Sequence, residues 1–320
     1  MDLNGLVPAI VTPMQDDGAV DEKALVSYIK WILPQGPKAL AVNTDAGEGP
    51  HLMPEEKLRV LAVVAGELAG QIPVVCGLGG PSTDAVLEFG RKAKAGGASA
   101  WLVFPSPAFR GTSGIDPVIV GYHREVASLG VPMVLFQLQE GLGGAEYPLE
   151  TIAELVNIPE SIAIKEATFD IAKYKKTVAF LRGLPRKITI LTGNDNFILE
   201  SFEMGADPPA EERSRSRPFG ADGALLGFGS VVTREQVDMM RMALAGDFTG
   251  AKALYRRINP LAQACFADPV REYRARLKAV LHMQGVLPSG AVRRPLLPLA
   301  PEARSALKKI LADNGFPGGN

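Results

Sequence analysis

Short β-rich apolar runs alternate with longer amphipathic stretches eight times along this chain, and few folds accept that rhythm. Strands are predicted at residues 6–12, 39–43, 72–77, 100–104, 133–138, 162–166, 188–192 and 224–227. Between them, apolar spacing predicts helices at 21–33, 54–69, 82–95, 116–129, 148–156, 171–184 and 197–204, with an eighth at 234–245. Pro54-Glu-Glu and Ser82-Thr-Asp supply helix starts, while Gly96 and Gly130 mark helix ends. Eight strand–helix units predict an α/β fold of the (β/α)8 type, a TIM barrel. A doubly wound sheet would place a Gly-x-Gly-x-x-Gly turn after the first strand, and none follows it.

Three further helical patterns, at 249–266, 270–284 and 301–314, come after the eighth unit. The expected organisation is a barrel at 1–248 and a C-terminal helical extension at 249–320, packed on the barrel or on another subunit. One segment interrupts the rhythm. Pro208-Pro-Ala-Glu-Glu-Arg-Ser-Arg-Ser-Arg-Pro218 is flanked by Gly-Ala-Asp at 205–207 and again at 220–222, as in a loop insertion at about 207–222 that duplicated its own edge. Helix-to-strand loops lie on the barrel face away from the chemistry, so a solvated excursion is expected there. An anion-binding or partner-binding arm is the alternative.

Composition narrows the function classes. The 320 residues are 47% hydrophobic, enough to bury roughly 75% of the unfolded surface. A formal net charge of -1 gives no bias toward polyanions, so nucleic acid is not an expected partner. Cys76 and Cys265 stand in apolar surroundings with no Cys/His cluster, which fits a reducing cytosol and argues against a zinc site. Neither a signal peptide nor an apolar run of ~20 residues is present, so a cytoplasmic protein with no membrane partner is expected. His51, His123 and His282 are scattered and suggest neither a metal site nor a triad.

The chemistry centres on Lys165, the only lysine inside a strand-like run, Ile162-Ala-Ile-Lys-Glu-Ala-Thr168. Strand alternation puts it on one side with Ala163 and Ala167, while Ile162 and Ile164 face the other way. Beside small residues in a barrel interior, desolvation would lower its pKa and free the amine as a nucleophile. A strand-end lysine reaching out to water is the alternative.

Several segments in register then resemble the dihydrodipicolinate synthase / N-acetylneuraminate lyase family. They are Val7-Pro-Ala-Ile-Val-Thr-Pro13 with Asp21 beyond it, Gly47-Glu48, Ile164-Lys-Glu-Ala-Thr168, Gly193-Asn-Asp195 and Arg294-Pro-Leu-Leu-Pro-Leu299. The resemblance spans essentially the whole chain apart from the insertion. It implies a TIM barrel with helical extension, commonly a homotetramer, so a homo-oligomer (tetramer or dimer) is expected. It also implies a strand-six lysine, here Lys165, that forms a Schiff base with a 2-oxo acid such as pyruvate, without metal or organic cofactor. The protonated imine then acts as an electron sink for a carbanion at the neighbouring carbon, which serves aldol cleavage, condensation or dehydration alike.

Departures from the family pattern are equally informative. The family's strand-five Tyr-Asn-x-Pro reads Phe136-Gln-Leu-Gln139, so Phe136 stands at the tyrosine position without a hydroxyl. A second tyrosine is missing from Pro105-Ser-Pro-Ala-Phe109, and an arginine beyond strand five is replaced by Gly141-Leu-Gly-Gly144. A dicarboxylate substrate is therefore poorly provided for. The family's Gly-Thr-Thr-Gly-Glu becomes Asn43-Thr-Asp-Ala-Gly-Glu48, one residue longer. Thr44 can still offer a hydroxyl, and the N–H groups of Ala46 and Gly47 can still form an anion nest. Asp45 either replaces the lost phenol as acid/base, binds a substrate hydroxyl, or caps its own turn. Gly193, Asn194 and Leu225 are expected to complete the substrate lining. Arg110, in the loop after strand four, either binds a distal carboxylate or stays in solvent. Tyr147 either returns a hydroxyl to the site or packs at the start of the fifth helix.

The favoured expectation is a Schiff-base lyase acting on pyruvate or a 2-keto-3-deoxy sugar acid. A family member that binds 2-oxo acids without turnover is the alternative. A phosphate-binding barrel enzyme, suggested by Gly227-Phe-Gly-Ser230, is a third.

Overall fold

The computed structural model describes residues 1–203 and 220–318. Its strands are β1 Leu6–Pro8, β2 Leu40–Val42, β3 Val74–Leu78, β4 Ala100–Val103, β5 Met133–Leu138, β6 Ser161–Ala167, β7 Thr189–Thr192 and β8 Gly223–Leu226. All pair in parallel, in the order β1-β8-β7-β6-β5-β4-β3-β2. Pro8 has no N–H to continue the ladder, which explains why β1 stops short of residue 12. Ala9 instead donates to Leu226 O at 2.8 Å, and Ile10 donates to Ala41 O at 3.0 Å. The bridge between Ala9 and Ala41 thereby joins β1 to β2 and closes the ring. This is a (β/α)8 barrel, as the eightfold rhythm predicts.

The helices are α1 Glu22–Ile32, α2 Pro54–Leu68, α3 Thr83–Ala95, α4 Pro117–Ala127, α5 Leu149–Val156, α6 Ile171–Gly183, α7 Glu200–Glu203 and α8 Thr233–Leu244. Their starts follow local chemistry. Asp21, Ser82, Asp116 and Asp170 each accept from the first-turn N–H groups of α1, α3, α4 and α6, contacts worth about 1 kcal/mol apiece. The seventh helix starts at Glu200, later than the expected 197, and Met204 lies outside the described residues, as does most of the expected insertion at 207–222. With helices on the outside and side chains filling the inside, all eight strands have every residue or all but one buried.

Beyond the barrel lie α9 Phe248–Cys265, α10 Tyr273–Met283 and α11 Pro301–Asp313. The 270–284 pattern resolves into a 3-10 turn, Val270–Glu272, followed by α10. Helix α10 is unusual because nine consecutive residues, Tyr273 to Leu281, are buried, Arg274, Arg276 and Lys278 among them. Buried cations need partners. Arg276 finds carbonyls of the α9–α10 connection and Glu272. The other two reach the loop after β2: Arg274 pairs with Asp45, and Lys278 with Glu48. Glu48 also accepts from the Arg293 N–H at 2.6 Å. The extension is thus anchored over the carboxyl end of the barrel, where enzymes of this fold keep their chemistry.

Candidate active site

Lys165 sits near the end of β6, in register with Phe136 on β5 and Leu191 on β7. Its side chain runs inward to a narrow chamber of about 30 Å3 that is also lined by Ala9, Thr44, Asp45, Ala46, Phe136, Gly193, Asp195, Gly227, Phe266 and Tyr273. Gly193 is what lets it through. A Cβ there would lie 2.5 Å from Lys165 Cε and 2.7 Å from the Ala167 Cβ. The amine stands 4.4 Å from the Phe136 ring centroid, and that ring meets Phe104 edge to face.

Burial strips water from this ammonium and pulls its pKa down to about 8, against the attraction of Asp195 and then Asp45. The shift leaves far more of this amine neutral near pH 7.5 than the roughly one part in a thousand of an ordinary lysine. The same burial pushes the Asp195 carboxyl above its usual range, opposed by the Phe228 N–H and by Lys165. Phe228 N donates to Asp195 Oδ1 at 2.8 Å. Glu166 is raised to about 7 by burial and takes no part in the chamber lining. It is satisfied by Thr168 at 2.6 Å and Asn194 at 2.7 Å.

The roof comes from the C-terminal extension. Phe266 stacks on Tyr273, with ring centroids 4.8 Å apart, and Phe169 packs against Phe266. The Tyr273 hydroxyl donates to Asp45 Oδ2 at 2.6 Å. Arg274 holds the other Asp45 oxygen and, through Nε, the Asp45 carbonyl at 2.9 Å. Beyond Asp45, Leu138 and Leu142 the chamber meets a cleft of about 600 Å3, bordered by Lys57, His51, Ser106, Tyr122, Arg271 and Arg274.

Of the residues singled out from the sequence, the structure gathers Lys165, Asp45, Thr44, Ala46, Phe136 and Gly193 around one chamber. The Thr44 hydroxyl is buried and has no hydrogen-bond partner among the described residues. Gly47 packs against the end of the β1 segment, its carbonyl accepting from Thr12 at 2.7 Å. Asn194 does not face the chamber. It braces Glu166 and accepts from Phe169 N at 2.7 Å. Leu225 is buried in β8 opposite Val7, outside the lining. Arg110 is held by the carbonyls of Gly144 at 2.8 Å and Glu140 at 3.5 Å, which keeps its guanidinium off the cleft wall. Tyr147 packs with Phe109 and His123 at the start of α5, so its hydroxyl does not return to the chamber. The turn at Phe228–Ser230 gives its first N–H to Asp195, a protein carboxylate in the place a phosphate would need.

Sequence reasoning missed Tyr273, Arg274 and Lys57, and quoted Asp195 only as part of a motif. One signal was available. Asp45 and Glu48 lie three apart on a loop, and Arg274 and Lys278 lie four apart on one helix face, a complementary spacing of opposite charges.

An eight-stranded parallel barrel with a desolvated lysine at its carboxyl end defines a (β/α)8-barrel enzyme. The model of the dihydrodipicolinate synthetase family matches residues 2–210 and 212–314. The chain is 27% identical over 317 residues to the 4-hydroxy-tetrahydrodipicolinate synthase of Leptothrix cholodnii, covering 98% of each. It is 28% identical over 316 residues to that of Symbiobacterium thermophilum, covering 97% of each. Among solved structures, it is similar to the dihydrodipicolinate synthase of Acinetobacter baumannii complexed with pyruvate, at 27% identity and a TM-score of 0.79 over 98% of this chain and 100% of that one. A prophage protein of E. coli K12 matches with a TM-score of 0.85 over 99% and 100% of the two chains, at 20% identity, and shares the fold. The chain belongs to the dihydrodipicolinate synthetase family and is a lyase of that family.

Proposed function

We propose that this protein is a Schiff-base lyase whose Lys165 condenses with the ketone of a 2-oxo acid, pyruvate or a 2-keto-3-deoxy sugar acid. The observation that carries the reading is the Lys165 amine itself, buried at the end of β6 with its pKa drawn down to about 8. The neutral amine adds to C2 of the ketone, water leaves, and the protonated imine accepts the electron pair of a bond broken at C3. Asp195 and the Phe136 ring face this cation and lower the cost of forming it in a dry chamber. The unpartnered Thr44 hydroxyl and the N–H of Ala46, both at the chamber, receive the substrate carboxylate. The relative from Acinetobacter baumannii was solved with pyruvate, which supports a 2-oxo acid at the same position.

A sugar-acid substrate suits the adjoining cleft, since about 600 Å3 exceeds what pyruvate needs and lies within the range of small-molecule sites. No cofactor or metal enters this scheme. Exposed Ile115, Val118 and Leu297 offer apolar surface for a homo-oligomer. Among the described residues no helix is long and apolar enough to cross a membrane.

The test is reductive trapping. Incubation with pyruvate and sodium borohydride should leave a mass adduct on Lys165 that is absent from Lys165→Ala. A wild-type protein with no adduct would refute the reading. An adduct without turnover of any 2-keto-3-deoxy acid would leave a binder in place of a lyase.

A further inference from the structure

Every reaction open to such an imine moves a proton on or off C3, the carbon beside it. Among the described residues, the chamber offers few groups for that step. Lys165 is consumed in the imine, and Phe136 carries no hydroxyl. Asp195 already accepts the Phe228 N–H and faces the cationic nitrogen. Thr44 alone is too weak an acid or base. Tyr273 and Asp45 remain, and their 2.6 Å hydrogen bond points the phenol proton at the carboxylate.

We propose that Tyr273 and Asp45 form a proton relay that deprotonates and reprotonates C3 of the Lys165 imine. The proposal rests on imine formation at Lys165. In the forward step the C3–H bond breaks and its electron pair forms C2=C3. The former C=N pair becomes the nitrogen lone pair, giving a neutral enamine. The C3 proton goes to the Tyr273 oxygen while the phenol proton passes to Asp45 Oδ2. The carboxylate becomes a carboxylic acid, and the phenol ends as it began. The reverse transfer returns the proton to C3.

Three features favour a relay over either group alone. Both Asp45 oxygens are engaged, one by Tyr273 and one by Arg274, so the phenol oxygen is the acceptor that the chamber presents. A free phenolate is opposed, because burial and the neighbouring Asp45 charge push the Tyr273 pKa well above its usual value. Arg274 fixes the Asp45 backbone and side chain together and is a positioning residue.

The test uses pyruvate alone, so it does not depend on the natural substrate. In D2O, imine–enamine exchange replaces the pyruvate methyl protons with deuterium, which NMR reads directly. Tyr273→Phe keeps the ring stacked on Phe266. Asp45→Asn keeps an acceptor for the phenol but cannot take its proton. Both should still form the borohydride adduct on Lys165 when assayed above pH 8, where the amine is neutral with or without the Asp45 charge, while exchange falls at least ~100-fold, the scale of a lost general base. Exchange that persists at the wild-type rate in both variants, with the adduct intact, overturns the relay and leaves Asp195 as the base. A wild-type protein that neither traps nor exchanges pyruvate defeats the Lys165 reading, and this one with it.

Discussion

Lys278→Met tests whether the extension is locked to the barrel by charge. Lys278 and Glu48 are both fully buried, and burial draws the Lys278 pKa down in spite of Glu48. That direction means desolvation outweighs attraction, so the pair is not itself a source of stability. Removing one partner is another matter, because Glu48 would be left in a dry site without its cation. The usual cost is about 3–5 kcal/mol. The lower end is expected here, since Glu48 keeps the Arg293 N–H at 2.6 Å. For 320 residues, an unfolding entropy of roughly 0.7 kcal/mol/K converts that lower-end cost into a Tm lower by about 4 °C. Calorimetry measures it. The double variant Glu48→Gln/Lys278→Met carries no charge and should return to within about 2 °C of the wild type. A single variant as stable as the wild type, or a double variant no better than the single, would refute the argument.

Three further outcomes follow from the site. The rate of borohydride-trappable imine formation should rise with pH through about 8, because only the neutral Lys165 amine attacks; Asp195→Asn removes the carboxylate that holds this pKa up, so the limb should move to lower pH, and an unmoved limb would separate the two groups. Gly193→Ala places a methyl 2.5 Å from Lys165 Cε; adduct formation should fall at least ~100-fold with the barrel still folded, in line with the cost of misplacing a reacting group. Lys57, half-buried on the cleft wall with its pKa lowered by burial, should bind a distal anionic group. Lys57→Met is expected to raise KM for acids bearing one by about 10-fold, one charge-assisted contact, and to leave pyruvate trapping unchanged; equal effects on both would count against that role.

The barrel was legible because its signal is local. Strand β5 matches the expected 133–138, and the helix starts at Asp21, Ser82 and Asp116 are capped as their side chains suggest. Lys165 was legible for the same reason, since a lysine among alternating small and branched residues declares its face. Tyr273 was not. It meets Asp45 across 228 positions of sequence, and nothing in a helix read by periodicity says which strand end lies beneath it. Arg110 failed in the opposite way. Its place after β4 suggested the cleft, but nearby carbonyls of the β5–α5 loop satisfied it first. Asn194, read from its motif as a substrate contact, instead braces Glu166 and Phe169.

Tyr273 and Phe266, which roof the lysine, lie late in the chain, long after β6 has left the ribosome. The barrel strands carry the amine but the extension carries its roof, so a chain cut short before residue 266 would keep the lysine and lose the aromatic cover that dries it.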